Sequence, residues 1–304
     1  MKKIGIIGTG VMGVTVALKA MADGYGVIAF DSNPKTSDKC RDLGLEMGQN
    51  PAEVARNVKI VLLFLPGPAQ VIDCVTSGRG LLAALQPGAV IADMSTIDPD
   101  TTVRMAAMAL EKDVGYLDAP VLGRPATVGK WAIPVGGREE DLTLCRPVFE
   151  LVAASIYHMG PSGTGHKVKL LNQLMFGAIN AMTAEMMAIS EKVGIAPKLL
   201  YETIAASQAG TVSNLFKELG ARIATDDYAN PTFSIDLLIK DVRLAVEMAQ
   251  KSDAPPLVAR SVEFLNEAAR AQGLGSMDTA AMWKCYRQFW EKTEPDSGEK
   301  KKAR

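Results

Sequence analysis

The segment Gly8-Thr9-Gly10-Val11-Met12-Gly13 constrains this chain more than any other. It follows the apolar run Ile4-Gly5-Ile6-Ile7 and opens an alanine-rich stretch from Val14 to Met21. Three spaced glycines between a strand and a helix form a dinucleotide-binding fingerprint. The first permits a tight turn, the second lets backbone approach a pyrophosphate, and the third lets helix and strand pack closely. The helix that begins there offers unpaired N–H groups and its positive dipole end to the phosphates. A second apolar run, Val27-Ile28-Ala29-Phe30, follows where a βαβ unit needs one. That context favours a binding loop over a plain glycine turn.

Strand and helix patterns alternate through the first half. The runs Lys59 to Leu65, Val90 to Met94, Tyr116 to Ala119, Trp131 to Val135 and Ile156 to Met159 read as further buried strands. This is the pattern of an α/β doubly wound sheet with helices on both faces. Pro161-Ser162-Gly163-Thr164-Gly165 marks its end, and the strand signals stop there. Lys167 to Val193 reads as one long helix, apolar on more than one face. Helical patterns follow at Pro197–Ser207, Val212–Ile223, Ile235–Gln250, Leu257–Gln272 and Thr279–Lys292. The expected domains are 1–162, which binds the dinucleotide, 163–292, all-helical and serving substrate and oligomerisation, and 293–304, a charged disordered tail.

Length and charge fit that plan. At 304 residues the chain holds about two domains, and a net charge of -1 gives no reason to expect nucleic acid or a membrane surface as partner. The longest uncharged helical run, Leu170 to Ala184, is interrupted by Asn172, Gln173 and Asn180 and is too short to span a bilayer. Cys40, Cys74, Cys145 and Cys285 are scattered, which suggests neither a disulfide framework nor a metal site and fits a cytoplasmic location. With His158 and His166 as the only histidines, no metal cluster is expected.

Asp31 follows the second strand, 18 residues after Gly13. A carboxylate at that distance accepts hydrogen bonds from the adenosine ribose and repels a 2′-phosphate. Ser32-Asn33-Pro34 supplies no arginine to pair such a phosphate, so NAD is expected rather than NADP. The alternative is that Asp31 caps a turn with Asn33.

Two segments carry groups suited to hydride-transfer chemistry, which needs an acid/base for a hydroxyl proton and donors for the substrate. One is Asp118-Ala119-Pro120-Val121-Leu122-Gly123-Arg124-Pro125, leaving a strand end. The other is Gly163-Thr164-Gly165-His166-Lys167-Val168-Lys169-Leu170-Leu171-Asn172-Gln173, where Lys169 and Gln173 share a helix face and Asn172 is the i,i+3 neighbour of Lys169. A lysine has a reference pKa of about 10.4. Burial beside Val168, Leu170 and Leu171 is expected to lower it and let the amine exchange a proton near neutral pH.

With these motifs the chain resembles the β-hydroxyacid dehydrogenases, a family that includes 3-hydroxyisobutyrate dehydrogenase and tartronate semialdehyde reductase and is similar to 6-phosphogluconate dehydrogenase. The resemblance covers about residues 2 to 290 and implies a Rossmann-like domain followed by an all-helical one, in a homodimer or homotetramer. It makes Lys169 the catalytic lysine and Asn172 and Gln173 its amide partners. Ser95 and Thr96 match the loop near the nicotinamide, Leu65 and Pro66 the turn under the adenosine half. Phe233, Asp236 and Lys240 match the helix whose lysine reaches the cofactor, although an Asp236–Lys240 surface pair is an alternative. The cofactor residues so implied are Gly8, Thr9, Gly10, Val11, Met12, Gly13, Asp31, Leu65, Pro66, Ser95, Thr96, Phe233 and Lys240.

The chain departs from the family at the substrate loop. Relatives usually carry Ser-Gly-Gly where this chain has Leu122-Gly123-Arg124. The serine hydroxyl is gone, Gly123 still offers its N–H, and the Arg124 guanidinium can grip an anion in two places; the alternative is an Arg124 in solvent or paired locally. Trp283, Tyr286 and Trp290 share one helix face and read as core or interface packing rather than a pocket wall. The expected activity is NAD-dependent oxidation of a small 3-hydroxy acid, 3-hydroxyisobutyrate-like. The rival is reduction of a small anionic semialdehyde, such as tartronate semialdehyde or sulfolactaldehyde.

Overall fold

A computed structural model describes residues 2–56, 58–206, 214–254 and 256–291. The expected tail, the start of the helix expected at Val212 and the side chain of Trp290 lie outside the described residues. The chain divides into two compact units, one up to Asn172 and one from Gln173.

In the first unit the strands are β1 (Lys3–Ile7), β2 (Gly26–Phe30), β3 (Glu46–Met47), β4 (Ile60–Leu63), β5 (Val90–Asp93), β6 (Gly115–Asp118), β7 (Trp131–Gly136) and β8 (Ala153–Gly160). They alternate with α1 (Val11–Ala22), α2 (Pro34–Asp42), α3 (Pro51–Ala55), α4 (Pro68–Thr76), α5 (Pro99–Leu110) and α6 (Glu139–Phe149). They form one sheet in the order β3-β2-β1-β4-β5-β6-β7-β8. Pairing is parallel from β3 to β6. β7 runs antiparallel to β6 and parallel to β8.

Both faces of this sheet are covered, as the near-continuous apolar strands require. Ile4, Ile6, Val27, Ala29, Ile60 and Leu62 face one core, with Val16, Ala17 and Ala20 of α1. The alternate residues Ile7, Ile28, Val61, Leu63 and Ile91 face the other, with Val71 and Val75 of α4. Helix starts are written locally: Asn33, Asn50 and Asp98 each cap a helix that begins with proline, accepting from Lys35 N, Glu53 N and Thr101 N. All seven expected strands are present. The added β3 has two residues, too few to show an alternating pattern.

The remaining helices are α7 (Thr164–Lys192), α8 (Pro197–Ala206), α9 (Asn214–Thr225), α10 (Ile235–Lys251), α11 (Leu257–Ala269) and α12 (Met282–Glu291). The first turns of α7 group with the sheet unit, to which they are bonded through His166 and Lys169. In the second unit α10 has two buried faces. Ile235 and Ile239 pack with Trp283 and Tyr286, which are core residues as expected. Leu238, Val242 and Val246 pack with Ala259 and Val262 of α11. Leu171, Met175, Met182 and Ile189 line one exposed face of α7. Among the described residues, no helix is long and apolar enough to cross a membrane, and Cys40, Cys74, Cys145 and Cys285 are buried and free.

Candidate active site

The switch in strand order between β1 and β4 sets the position of the first half-site, since ligands of open sheets gather where the order reverses. Gly8 leaves β1 at φ 86°, and a Cβ there would lie 2.3 Å from Phe64 O. A Cβ on Gly13 would lie 1.9 Å from Gly8 O. Only glycine fits at either place. Gly10 is different: nothing stands within 4 Å of where its Cβ would be, so backbone there is open to a ligand. It caps α1 without a side-chain hydrogen bond, leaving the first-turn N–H groups for an anion. The loop therefore fits a dinucleotide pyrophosphate.

Asp31 stands at the end of β2 and closes this loop. Its Oδ2 accepts from Thr9 N at 2.8 Å and from Thr9 Oγ1 at 3.2 Å. Its Oδ1 accepts from Asn33 N at 2.9 Å, so the turn cap is present. A carboxylate has about four acceptor positions, and these bonds leave one on Oδ1 for a ribose hydroxyl.

The loops after β4 and β5 are tied together: Leu65 N donates to Ser95 Oγ at 2.9 Å. Ser95 is buried and is held in turn by Asp93, whose Oδ1 accepts Ser95 N at 3.0 Å. Asp93 Oδ2 accepts from Tyr116 Oη at 2.8 Å. Burial, reinforced by the Asp93 charge, pushes the Tyr116 phenol well above its ordinary value. Ser95 thus acts from inside the loop, as a strut between the turns that carry Leu65 and Thr96.

His166 is fully buried at the start of α7. Its Nε2 lies 3.0 Å from Ser95 O, which can only accept, so Nε2 carries a hydrogen. Its Nδ1 lies 2.6 Å from Thr102 Oγ1 on α5. Its backbone N–H donates to Asp118 Oδ2 at 2.9 Å, and Gly163 N donates to Asp118 Oδ1 at 2.8 Å. Burial pushes the Asp118 carboxyl up, while His166 and these N–H donors pull the other way. Asp118, at the end of β6, therefore anchors the first turn of the helix that carries Lys169.

Lys169 is half-buried, and its Nζ donates to Val121 O at 2.8 Å. Its neighbours correct the expected apolar setting. Leu170 is buried, but Val168 is half-buried and Leu171 is 58% exposed, because successive helical residues point 100° apart. Contact with a carbonyl, not a fully apolar sheath, distinguishes this amine. Val121 begins the strap Val121–Arg124, whose Leu122 exchanges backbone hydrogen bonds with Ala132 of β7. Asn172 is exposed one turn further along α7.

In the second unit Gln173 is buried and its Nε2 donates to Asp241 Oδ2 at 2.6 Å. Lys240 Nζ lies 2.6 Å from Asp241 Oδ1. Asp241 is almost fully buried, a costly place for a carboxylate that these two partners stabilise. Phe233 meets the edge of Phe176 with ring centroids 5.4 Å apart. Sequence reasoning missed Asp241, and its signal was a charge set on the apolar stripe of α10 between Leu238 and Ala245. It also gave no role to Trp131. His158, on the edge strand β8, donates from Nε2 to Gly137 O at 2.7 Å.

Residues 3–160 match the NAD binding domain of 6-phosphogluconate dehydrogenase. Residues 163–286 match the NAD-binding domain of NADP-dependent 3-hydroxyisobutyrate dehydrogenase. The chain is 34% identical over 291 residues to 2-(hydroxymethyl)glutarate dehydrogenase of Eubacterium barkeri, covering 94% of this chain and 95% of that one. It is 31% identical to 3-hydroxyisobutyrate dehydrogenase of Pseudomonas aeruginosa, covering 94% and 99%. The crystal structure of 3-hydroxyisobutyrate dehydrogenase from Salmonella typhimurium superposes with a TM-score of 0.86 at 25% identity, covering 93% and 99%.

Proposed function

The chain belongs to the β-hydroxyacid dehydrogenase family, and from that premise we propose that it oxidises a small 3-hydroxy acid of the 3-hydroxyisobutyrate type, with Lys169 as the general acid/base. It is an NAD-dependent oxidoreductase acting on the CH–OH group of hydroxy acids. Bound NAD supplies the hydride acceptor. Gly8 to Gly13 hold the pyrophosphate, Asp31 the ribose, Leu65 and Pro66 the adenosine half, and Ser95 and Thr96 the nicotinamide side. Phe233 and Lys240 are cofactor contacts by family likeness.

The observation that carries this reading is the bond from Lys169 Nζ to Val121 O. A neutral amine keeps two hydrogens and one lone pair. Donating one hydrogen to Val121 O orients the lone pair, which takes the hydroxyl proton as hydride departs. Asn172 and Gln173 have no charge to titrate and position the substrate. Gln173 is itself oriented by Asp241. Gly123 N–H and the Arg124 guanidinium receive the substrate carboxylate. In the reverse direction the Lys169 ammonium returns the proton, and the same groups reduce an anionic semialdehyde.

The exposed apolar face of α7, with Leu171, Met175, Met182 and Ile189, supports assembly into a homo-oligomer. The activity is tested by following NADH absorbance across short hydroxy acids, semialdehydes and sulfonates, with Lys169→Ala as control. Turnover of a 3-hydroxy acid by the wild type and not by the variant is the expected result. Equal turnover by both removes Lys169 from the chemistry.

A further inference from the structure

Trp131 opens β7 and is fully buried, which by itself is the ordinary place for a large aromatic ring. Its surroundings are not ordinary. The indole Nε1–H donates to Arg124 O at 2.8 Å. The same carbonyl accepts Thr127 N at 2.9 Å and Thr127 Oγ1 at 3.1 Å. Three donors on one oxygen hold the Arg124 backbone in its extended conformation, φ -126° and ψ 158°. The indole face also lies against Gly123: a Cβ there would fall 2.1 Å from Cδ1 and 2.5 Å from Cγ. One residue further back, Leu122 N donates to Ala132 O at 2.9 Å, and Ala132 N donates to Leu122 O at 3.2 Å. At the strap's start Val121 O holds Lys169. The strap is thus fixed at both ends, by an amine at Val121 and an indole at Arg124.

We infer that Trp131 is a positioning residue for substrate recognition: it fixes the backbone of Gly123 and Arg124 and so sets where an N–H and a guanidinium meet the substrate anion. This rests on the reading of Val121–Arg124 as the substrate loop. Trp131 touches no substrate. It acts through the strap, and it makes the strap accept only glycine at 123.

The experiment compares wild type, Trp131→Phe, Trp131→Leu, Gly123→Ala and the double variant Gly123→Ala/Trp131→Leu. Phenylalanine keeps a ring in the core and removes the N–H donor. It raises KM for the acid substrate by about fivefold to tenfold, as loss of one well-placed hydrogen bond does. Its kcat stays within about twofold of wild type, and its NADH affinity is unchanged, a split expected when only uniform substrate binding is weakened. Amide exchange, followed by mass spectrometry, quickens in the peptide covering 121–132 and not elsewhere. Gly123→Ala lowers kcat/KM strongly, and removing the indole in the double variant restores it by about tenfold or more, since the clash is then relieved. An active wild type with unchanged KM in both Trp131→Phe and Trp131→Leu overturns this inference alone. So does a Gly123→Ala defect that the double variant fails to relieve. A wild type inactive on every acid and semialdehyde overturns the substrate-loop reading, and the inference falls with it.

Discussion

His166 Nδ1 and Thr102 Oγ1 lie 2.6 Å apart in a fully buried site, joining the first turn of α7 to α5. Thr102 Oγ1 also lies 3.2 Å from Asp98 O, which can only accept. One hydroxyl hydrogen faces two takers, and the ring contact is the shorter. Thr102→Val keeps the side-chain shape and removes the hydroxyl, leaving a buried ring nitrogen without its partner. The expected cost is about 1–3 kcal/mol of stability. Denaturant unfolding checks it: the midpoint falls while the slope is unchanged. An unmoved midpoint shows that the contact contributes nothing to stability.

Under the proposed mechanism, removing the amine at 169 removes the acid/base. Lys169→Ala lowers kcat by about a hundredfold to ten-thousandfold, with NADH affinity within about twofold of wild type because the nucleotide loop is elsewhere. Lys169→Arg does not restore the rate, since a guanidinium stays protonated at neutral pH. Single-turnover kinetics with titrated NADH fluorescence separates the two effects, and a kcat within a few-fold of wild type refutes the role.

Under the proposed role Asp31 couples cofactor choice to loop order, because the carboxylate assigned to the ribose also holds Thr9. Asp31→Ser removes the charge that repels a 2′-phosphate and shifts preference from NAD toward NADP. It also loosens the glycine loop, so NAD affinity falls by about tenfold, the weight of one charge-assisted bond. Ratios of kcat/KM for the two cofactors are the measure. A constant ratio would leave Asp31 as a turn cap only.

Asp118 gives a pH dependence whose sign is fixed. Burial raises its folded pKa above the unfolded value. Between those two values the folded state therefore binds more protons than the unfolded one, and stability falls as pH rises through the window. Asp118→Asn removes this titration and loses one of the two N–H acceptors for α7. Thermal melts from about pH 4 to 7 test it: the wild-type advantage over the variant shrinks toward neutral pH. A pH-independent gap contradicts the assignment.

The apolar face of α7 is a test of assembly. Met175→Lys with Met182→Lys places two charges on that face. Light scattering coupled to size exclusion is expected to show a lower mass than for wild type, with helical content retained. An unchanged mass places the assembly surface elsewhere.

Local chemistry made the glycine loop readable, since Gly8 and Gly13 stand where any Cβ would strike Phe64 O or Gly8 O. Apolar runs made the strands readable, whereas the split of alternate residues of β1, β2 and β4 between two cores is set by the packed helices. As candidates, Lys169, Asn172 and Gln173 were visible through spacing and family likeness. What surrounds them was not. Asp241, 68 residues from Gln173, and Thr102, 64 residues before His166, meet their partners only through tertiary folding. The antiparallel turn of β7 was hidden for a similar reason, as an apolar run has no direction until its neighbours are known.

The indole packed on Gly123 ties the evolution of two positions together. Among sequences built on this loop, tryptophan at the place of residue 131 should co-occur with glycine at the place of residue 123, and smaller residues at the first should free the second to vary. Directed evolution aimed at a wider range of acids would then begin in the core at 131, with changes at the surface loop following from it.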